Sequence, residues 1–279
     1  MAKKKRGSTA SNAVILIFTT ALAKGLGFGR EMSLAYVYGA SPVSDAYFVA
    51  FSIPTIIFAG IGSAMLTSYI SSYSRIQQQN PRRLRRFTDT VITMVILISL
   101  AIMCLFWLLK RPIVKLFALG FEGETLELAI SFSQVIIISL LFIGVYFILQ
   151  GYLQIHGSYF AVGMVSAPLN LCVIASMFLS VQHGQEVLGW GVVAGYFASF
   201  LMLYLAAKGN RFSYRPNFNF RTPEIRRLLL VVVPIFLGKA ITELNTMIDR
   251  TIASILPAGS ISALSDGNLV ICFVPAVFV

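Results

Sequence analysis

Two polar stripes interrupt otherwise apolar segments, and they are the part of the sequence best suited to bind a ligand. One stripe consists of Thr20, Lys24, Gly27 and Glu31, and the other repeats its spacing with Lys239, Glu243, Thr246 and Arg250. At 100° per residue, each set lies along one face of a helix. A charge at the bilayer centre costs about 2.5–3.5 kcal/mol on insertion scales, so these faces should line a hydrated cavity. Cations in such a cavity would bind an anionic group, such as a pyrophosphate.

Further charged residues adjoin the two stripes. Arg30 and Asp249 flank them, and Asp45 opens the next helix, where a carboxylate could also simply stabilise the helix dipole. The alternative is that the charges only cancel in pairs, such as Lys239 with Glu243, or reach the membrane interface. The predicted substrate-binding residues are Lys24, Arg30, Glu31, Asp45, Lys239, Glu243, Asp249 and Arg250.

Motifs of enzymatic chemistry are missing from the sequence. It contains no nucleophile elbow, no HExxH, no P-loop and no paired carboxylates in an aqueous loop. The three cysteines stand in separate apolar runs, and the two histidines lack a second ligand at metal-binding spacing. We therefore expect no enzyme activity, no metal and no cofactor.

The helices that must position these residues are membrane spans. Hydrophobic residues make up 57% of the 279 residues and charged residues only 12%, whereas soluble domains have about 25% charged residues. A span needs about 20 mostly apolar residues. The sequence predicts an all-α polytopic membrane protein with eight spans, near 12–38, 44–74, 87–109, 125–151, 157–182, 188–207, 227–256 and 260–279.

The cations predict the topology. Most of the 22 Lys and Arg residues fall in three clusters at 3–6, 75–86 and 208–227, and each cluster abuts an apolar segment. The positive-inside rule places these clusters and the N-terminus in the cytoplasm, where they would contact anionic lipids rather than nucleic acid. The predicted organisation is a basic N-terminus at 1–11, a six-helix lobe at 12–207, a basic linker at 208–226 and two further helices at 227–279.

An internal repeat relates the first two helices to the last two. Arg30, Gly39 and the segment 45–54 recur as Arg250, Gly259 and the segment 266–275. Corresponding helices of the two copies are six apart, an even number, so the two halves would be parallel repeats. The sequence stops within an apolar run, and we therefore expect a partial second lobe. Without its missing helices, the chain alone should not transport.

The repeated segments also resemble a known family. They read Lys-Gly-Leu-Gly-Phe-Gly-Arg-Glu at 24–31, Tyr-Gly-Ala at 38–40, Asp-Ala-Tyr-Phe-Val-Ala-Phe-Ser-Ile-Pro at 45–54, Ile-Asp-Arg-Thr-Ile-Ala-Ser-Ile-Leu-Pro at 248–257 and Gly-Ser-Ile-Ser-Ala-Leu at 259–264. In these stretches the chain resembles the MurJ/MviN lipid II flippases of the multidrug/oligosaccharidyl-lipid/polysaccharide exporter superfamily.

The resemblance implies a MATE-like transporter of about fourteen helices in two lobes around a cationic cavity. Such a protein lies in the bacterial cytoplasmic membrane and moves an undecaprenyl-pyrophosphate-linked glycan to the outer leaflet by alternating access. By this resemblance, Lys24 takes the place of a cavity arginine, while Arg30 and Asp45 match a functional arginine and aspartate. The implied partners are the lipid-linked glycan, membrane lipids, a second lobe and a coupling cation, with proton, sodium and membrane potential all open as the driving force.

Two departures from the family pattern keep other functions open. The arginine pair expected after Pro54 is replaced by Thr-Ile-Ile-Phe-Ala, and the aromatic-Ala-acid-Arg sequence expected after Leu264 is replaced by Ser-Asp-Gly-Asn-Leu. These losses favour a relative that flips an O-antigen or exopolysaccharide repeat unit. A cation-coupled drug exporter and a nontransporting scaffold for envelope synthesis are the remaining alternatives.

Overall fold

A computed structural model describes residues 7–210, 212–265 and 267–268. Every regular element within these ranges is helical. The helices are α1 (Gly7–Tyr38), α2 (Pro42–Gln79), α3 (Leu84–Phe117), α4 (Gly123–Ile136), α5 (Leu140–Ile155), α6 (Tyr159–Gly163), α7 (Ala167–His183), α8 (Glu186–Gly209) and α9 (Pro223–Ala253). One 3-10 turn (Pro81–Arg83) precedes α3, another (Ile137–Ser139) joins α4 to α5, and the backbone is helical again at 260–265.

The polytopic helical fold predicted from the sequence is confirmed. Six helical segments are long and apolar enough to cross a membrane: α2, α3 with its preceding turn, α4 with α5, α6 with α7, α8 and α9. They match the second to seventh predicted spans. The predicted first span coincides with the 32-residue α1, whereas most of the predicted eighth lies outside the described residues.

Helix α2 is the central element of the core. It packs against α4, α5 and α9, while α1 packs on α6 and α7. Its residues Tyr47, Ile53 and Tyr69 are fully buried. At its start, the Ser41 side chain accepts a hydrogen bond from the Ser44 backbone N–H, which satisfies one of the free donors of the first turn.

Helices α7 and α8 approach each other closely at a glycine. A Cβ atom at Gly195 would lie 3.0 Å from the Cα and the carbonyl oxygen of Leu169 in α7. Backbone atoms of a neighbouring helix cannot move aside as the tip of a side chain can. A side chain at position 195 would therefore separate two helices of the lobe.

We expect Gly195→Ala to lower the thermal stability of the purified protein. Overpacking of this kind costs about 1–3 kcal/mol, and here the clash is with backbone. The matched control is Gly209→Ala at the end of α8, where a Cβ would meet nothing within 4 Å. Thermal unfolding in one detergent should show a lower Tm for the first variant only. Equal Tm values for the two variants would mean that the α7–α8 contact relaxes freely.

The segment before α9 lies along the start of α3 in an extended conformation. The buried Asp89 accepts a hydrogen bond from the Arg215 backbone N–H at 3.2 Å. Thr93 Oγ1 lies 3.0 Å from the Tyr214 hydroxyl and accepts from the Asn217 backbone N–H at 3.1 Å. These bonds hold residues 214–217 against the start of α3.

Candidate functional site

A polar cavity of about 440 Å³ lies where the end of α1, the start of α2 and the end of α9 meet. Its lining residues are Glu31, Phe48, Thr246, Asp249, Arg250, Leu264, Ser265 and Asn268. Three of the residues predicted from the sequence, Glu31, Asp249 and Arg250, therefore line one cavity although about 220 positions separate the first from the others. The two polar stripes meet at their C-terminal ends.

Arg30 supports this cavity from behind. Its Nη2 donates a hydrogen bond to Glu31 Oε1, and both side chains are largely buried, at 16% and 12% exposure. The guanidinium also lies over the Phe51 ring, with Cζ 4.9 Å from the ring centroid, in a cation–π contact. Arg30 Nε is buried and has no hydrogen-bond partner among the described residues. Arg30 therefore places a buried positive charge next to the Glu31 carboxylate, which lines the cavity.

Arg250 approaches the same carboxylate from α9. Its Nη1 lies 3.4 Å from the carbonyl oxygen of Phe48 in α2, which makes a long hydrogen bond. Glu31 and Glu243 both act electrostatically on Arg250. An arginine from each repeat therefore lies near Glu31: Arg30 is paired with it, and Arg250 lines the same cavity. Most donors of the half-buried Arg250 remain available to a ligand.

The predicted lysines do not line this cavity. Lys24 and Lys239 are exposed, and neither forms an ion pair within the part of the chain described. At 1.5 Å per residue, they lie about 25 Å along α1 and about 24 Å along α9 from the helix starts. Both therefore lie near the middle of their helices. Glu243 is half-buried and also lies outside the cavity lining.

Asp45 makes a different contact from the one its place in the sequence suggested. The carboxylate is buried and accepts three hydrogen bonds from the turn after α9: from the Gly259 N–H at 2.6 Å, the Ser262 N–H at 2.8 Å and the Ser262 hydroxyl at 2.6 Å. It therefore caps the helical segment that begins at residue 260. Asp45 lies next to the cavity as a link between the repeats, and its contact with substrate stays a prediction.

A glycine makes this link possible. Gly259 has a φ of +92°, and a Cβ there would lie 2.9 Å from both the Cβ and the carbonyl oxygen of Ala40. Its counterpart in the first repeat, Gly39, also has a positive φ, of 59°. Only glycine combines this backbone conformation with so close an approach. We name the contact between Asp45 and residues 259–262 the inter-repeat latch.

Several residues that hold the site in place were not among those predicted from the sequence. Phe51 stacks with Arg30, and the carbonyl of Phe48 receives Arg250. Further along α1, Asn170 donates to the Ala23 carbonyl at 3.2 Å and so holds α1 on α7. The aromatic residues belong to the repeated segment at 45–54, but nothing in the sequence indicated the role of Asn170.

The family model described as "Lipid II flippase MurJ" matches residues 34–279. A probable lipid II flippase MurJ of Bdellovibrio bacteriovorus is 25% identical over 271 residues, covering 93% of this chain and 51% of the relative. The corresponding protein of Buchnera aphidicola subsp. Baizongia pistaciae is 27% identical over 275 residues, with 95% and 53% covered. The chain thus spans about half the length of the curated relatives it matches.

Solved structures agree with this result. A lipid II flippase MurJ in an inward closed conformation superposes with a TM-score of 0.79 at 25% identity, over 93% of this chain and 54% of that one. An outward-facing MATE multidrug transporter has a TM-score of 0.67 at 14% identity, over 96% and 64%, which shows a shared fold only. Because the family model matches most of the chain, and the fold agrees, the chain belongs to the MurJ lipid II flippase family.

Proposed function

We propose that this chain forms part of the substrate site of a transporter that moves an undecaprenyl-pyrophosphate-linked glycan of the lipid II class across the cytoplasmic membrane. The observation that carries the proposal is the cavity lined by both Glu31 and Arg250, with Arg30 hydrogen-bonded to Glu31. The site would bind and move its ligand without chemical turnover.

A pyrophosphate suits this arrangement for electrostatic reasons. Guanidinium groups bind phosphate oxygens through paired hydrogen bonds, and such charge-assisted bonds are stronger than neutral ones. These bonds are stronger still where the local dielectric constant is low. Glu31 would hold the two arginines in place until the ligand arrives, and would then share them with the phosphates.

The same geometry suggests how access could alternate. Helices α1 and α9 make no extended packing contact within the described ranges, whereas the latch joins the start of α2, which follows α1, to the turn after α9. With the latch closed, the stripes that carry Lys24 and Lys239 would open toward the cytoplasm. Breaking the latch would let the ends separate and expose the cavity outward. This assignment takes the N-terminus as cytoplasmic, in agreement with the distribution of cations.

A cation-coupled drug exporter is the second candidate, because two carboxylates, Glu31 and Asp249, line the cavity. A cationic cargo would be attracted to these groups and repelled by Arg250. The two candidates therefore predict opposite effects when the charge of Arg250 is removed. The same carboxylates, with Glu243, are the candidates for coupling to a proton or sodium ion.

We expect Arg250→Gln to weaken lipid II binding by at least about tenfold, since a charge-assisted hydrogen bond contributes about 1.5–3 kcal/mol. Native mass spectrometry of the purified chain with lipid II would measure the bound fraction. Arg215→Gln is the matched control, because the exposed Arg215 belongs to the linker. Unchanged lipid II binding together with improved binding of a lipophilic cation such as rhodamine 6G would favour the drug exporter.

A further inference from the structure

A second polar cavity, of about 400 Å³, lies at the opposite end of α2, where α2 ends, the 3-10 turn begins and α9 starts. Its lining residues are Ser71, Ser72, Arg75, Ile76, Gln79, Asn80, Arg83, Pro223, Glu224, Arg227 and Val231. Along α2, Arg75 is about 40 Å from Phe48 of the first cavity, at 1.5 Å per residue. The two cavities are therefore separate sites.

This cavity carries an excess of positive charge. Arg75, Arg83 and Arg227 come from three different elements, and Glu224 is the only carboxylate in the lining. Glu224 Oε1 accepts a hydrogen bond from Arg83 Nη1 at 2.9 Å, which compensates one of the arginines. Arg75 forms no hydrogen bond or ion pair with any described residue. Converging guanidinium groups without enough carboxylates are suited to an anion with several oxygen atoms.

The position of the cavity relative to the membrane indicates where such an anion could come from. Helix α2 has 38 residues and is therefore about 57 Å long, whereas the hydrocarbon core of a bilayer is about 30 Å thick. Its last turns, which include Arg75, consequently extend beyond the hydrocarbon into the headgroup layer or the water. Ile76 and Val231 form an apolar part of the cavity wall beside the polar residues. A basic pocket of this kind between helices is typical of sites for anionic lipid headgroups.

We propose that this cavity binds a phosphate group, supplied either by the headgroup of an anionic membrane lipid or by a free phosphate from the aqueous phase. The bound phosphate would join the end of α2 to the start of α9. It would act there independently of the proposed transport site.

The test is retention of phosphatidylglycerol by the 279-residue chain in nanodiscs of phosphatidylglycerol and phosphatidylethanolamine, measured by native mass spectrometry. The double variant Arg75→Gln/Arg227→Gln should retain about tenfold less phosphatidylglycerol than the unaltered chain, because its charge-assisted bonds are lost. Arg82→Gln should retain the normal amount, since the exposed Arg82 neighbours Arg83 but does not line the cavity.

Two further measurements are needed. One excludes misfolding as the cause of lost retention, and the other identifies the source of the phosphate. Glu224→Gln removes the competing carboxylate and should raise retention, a gain that misfolding cannot produce. Inorganic phosphate is titrated at constant ionic strength in uncharged detergent. A rise in Tm that depends on Arg75 and Arg227 would identify free phosphate as a ligand, whereas retention of phosphatidylglycerol alone identifies the lipid. The proposal is overturned if the double variant and Arg82→Gln behave alike in both assays.

Discussion

Arg30→Ala is expected to abolish transport and also to destabilise the protein. The substitution leaves Glu31 buried without its partner, and breaking a buried ion pair on one side costs about 3–5 kcal/mol. It also removes the cation–π contact with Phe51. The test uses a strain depleted of its own lipid II flippase and complemented by a full-length flippase that contains this sequence. The strain should lose viability when the complementing flippase carries Arg30→Ala.

The double variant Arg30→Ala/Glu31→Ala separates the two effects. Removing both charges eliminates the unpaired buried carboxylate, so the amount and Tm of the protein should largely recover. Viability and lipid II binding should not recover, because the arginine is needed for the ligand. If the double variant restored growth, Arg30 would serve only to neutralise Glu31. If Arg30→Lys also failed to support growth, the planar guanidinium group would be required in addition to its positive charge.

Asp45→Ala is expected to open the inter-repeat latch. The variant leaves the N–H groups of Gly259 and Ser262 without their acceptor, and loss of a helix N-cap alone costs about 0.5–2 kcal/mol. Each unsatisfied buried donor adds about 1–3 kcal/mol. Hydrogen exchange at residues 259–262 should therefore accelerate by at least about tenfold, while exchange in α7 stays unchanged.

Ser44→Ala is the matched control for the latch. The buried Ser44 hydroxyl donates to the Gly39 carbonyl at 2.6 Å. It therefore stabilises the turn between α1 and α2 without a bond to residues 259–262. Exchange at those residues should stay near normal in this variant. If Ser44→Ala and Asp45→Ala accelerated exchange equally, the latch would depend on the shape of the α1–α2 turn and not on the carboxylate.

Local patterns in the sequence were sufficient for the helices and for part of the site. Hydropathy depends on nearby residues, so the spans that became α2 to α9 could be recognised without tertiary information. Helical spacing likewise identified the stripes that contain Glu31 and Arg250, and the repeat related the two. The four-part domain division and the contact of Lys24 with substrate remain predictions, since they depend on the lobes of a complete transporter.

Tertiary structure decided which of the charged residues meet. Spacing along one helix cannot show that Asp45 bonds the backbone of Gly259, because that bond joins residues more than 200 positions apart. Nor could it show that Arg75 and Arg227 share a cavity, since each looked only like part of a cytoplasmic basic cluster. Sequence periodicity determines which face of a helix is polar. The packing of α9 on α2 and of α1 on α7 determines what that face contacts, because long-range contacts arise only when the apolar faces of different helices are buried together.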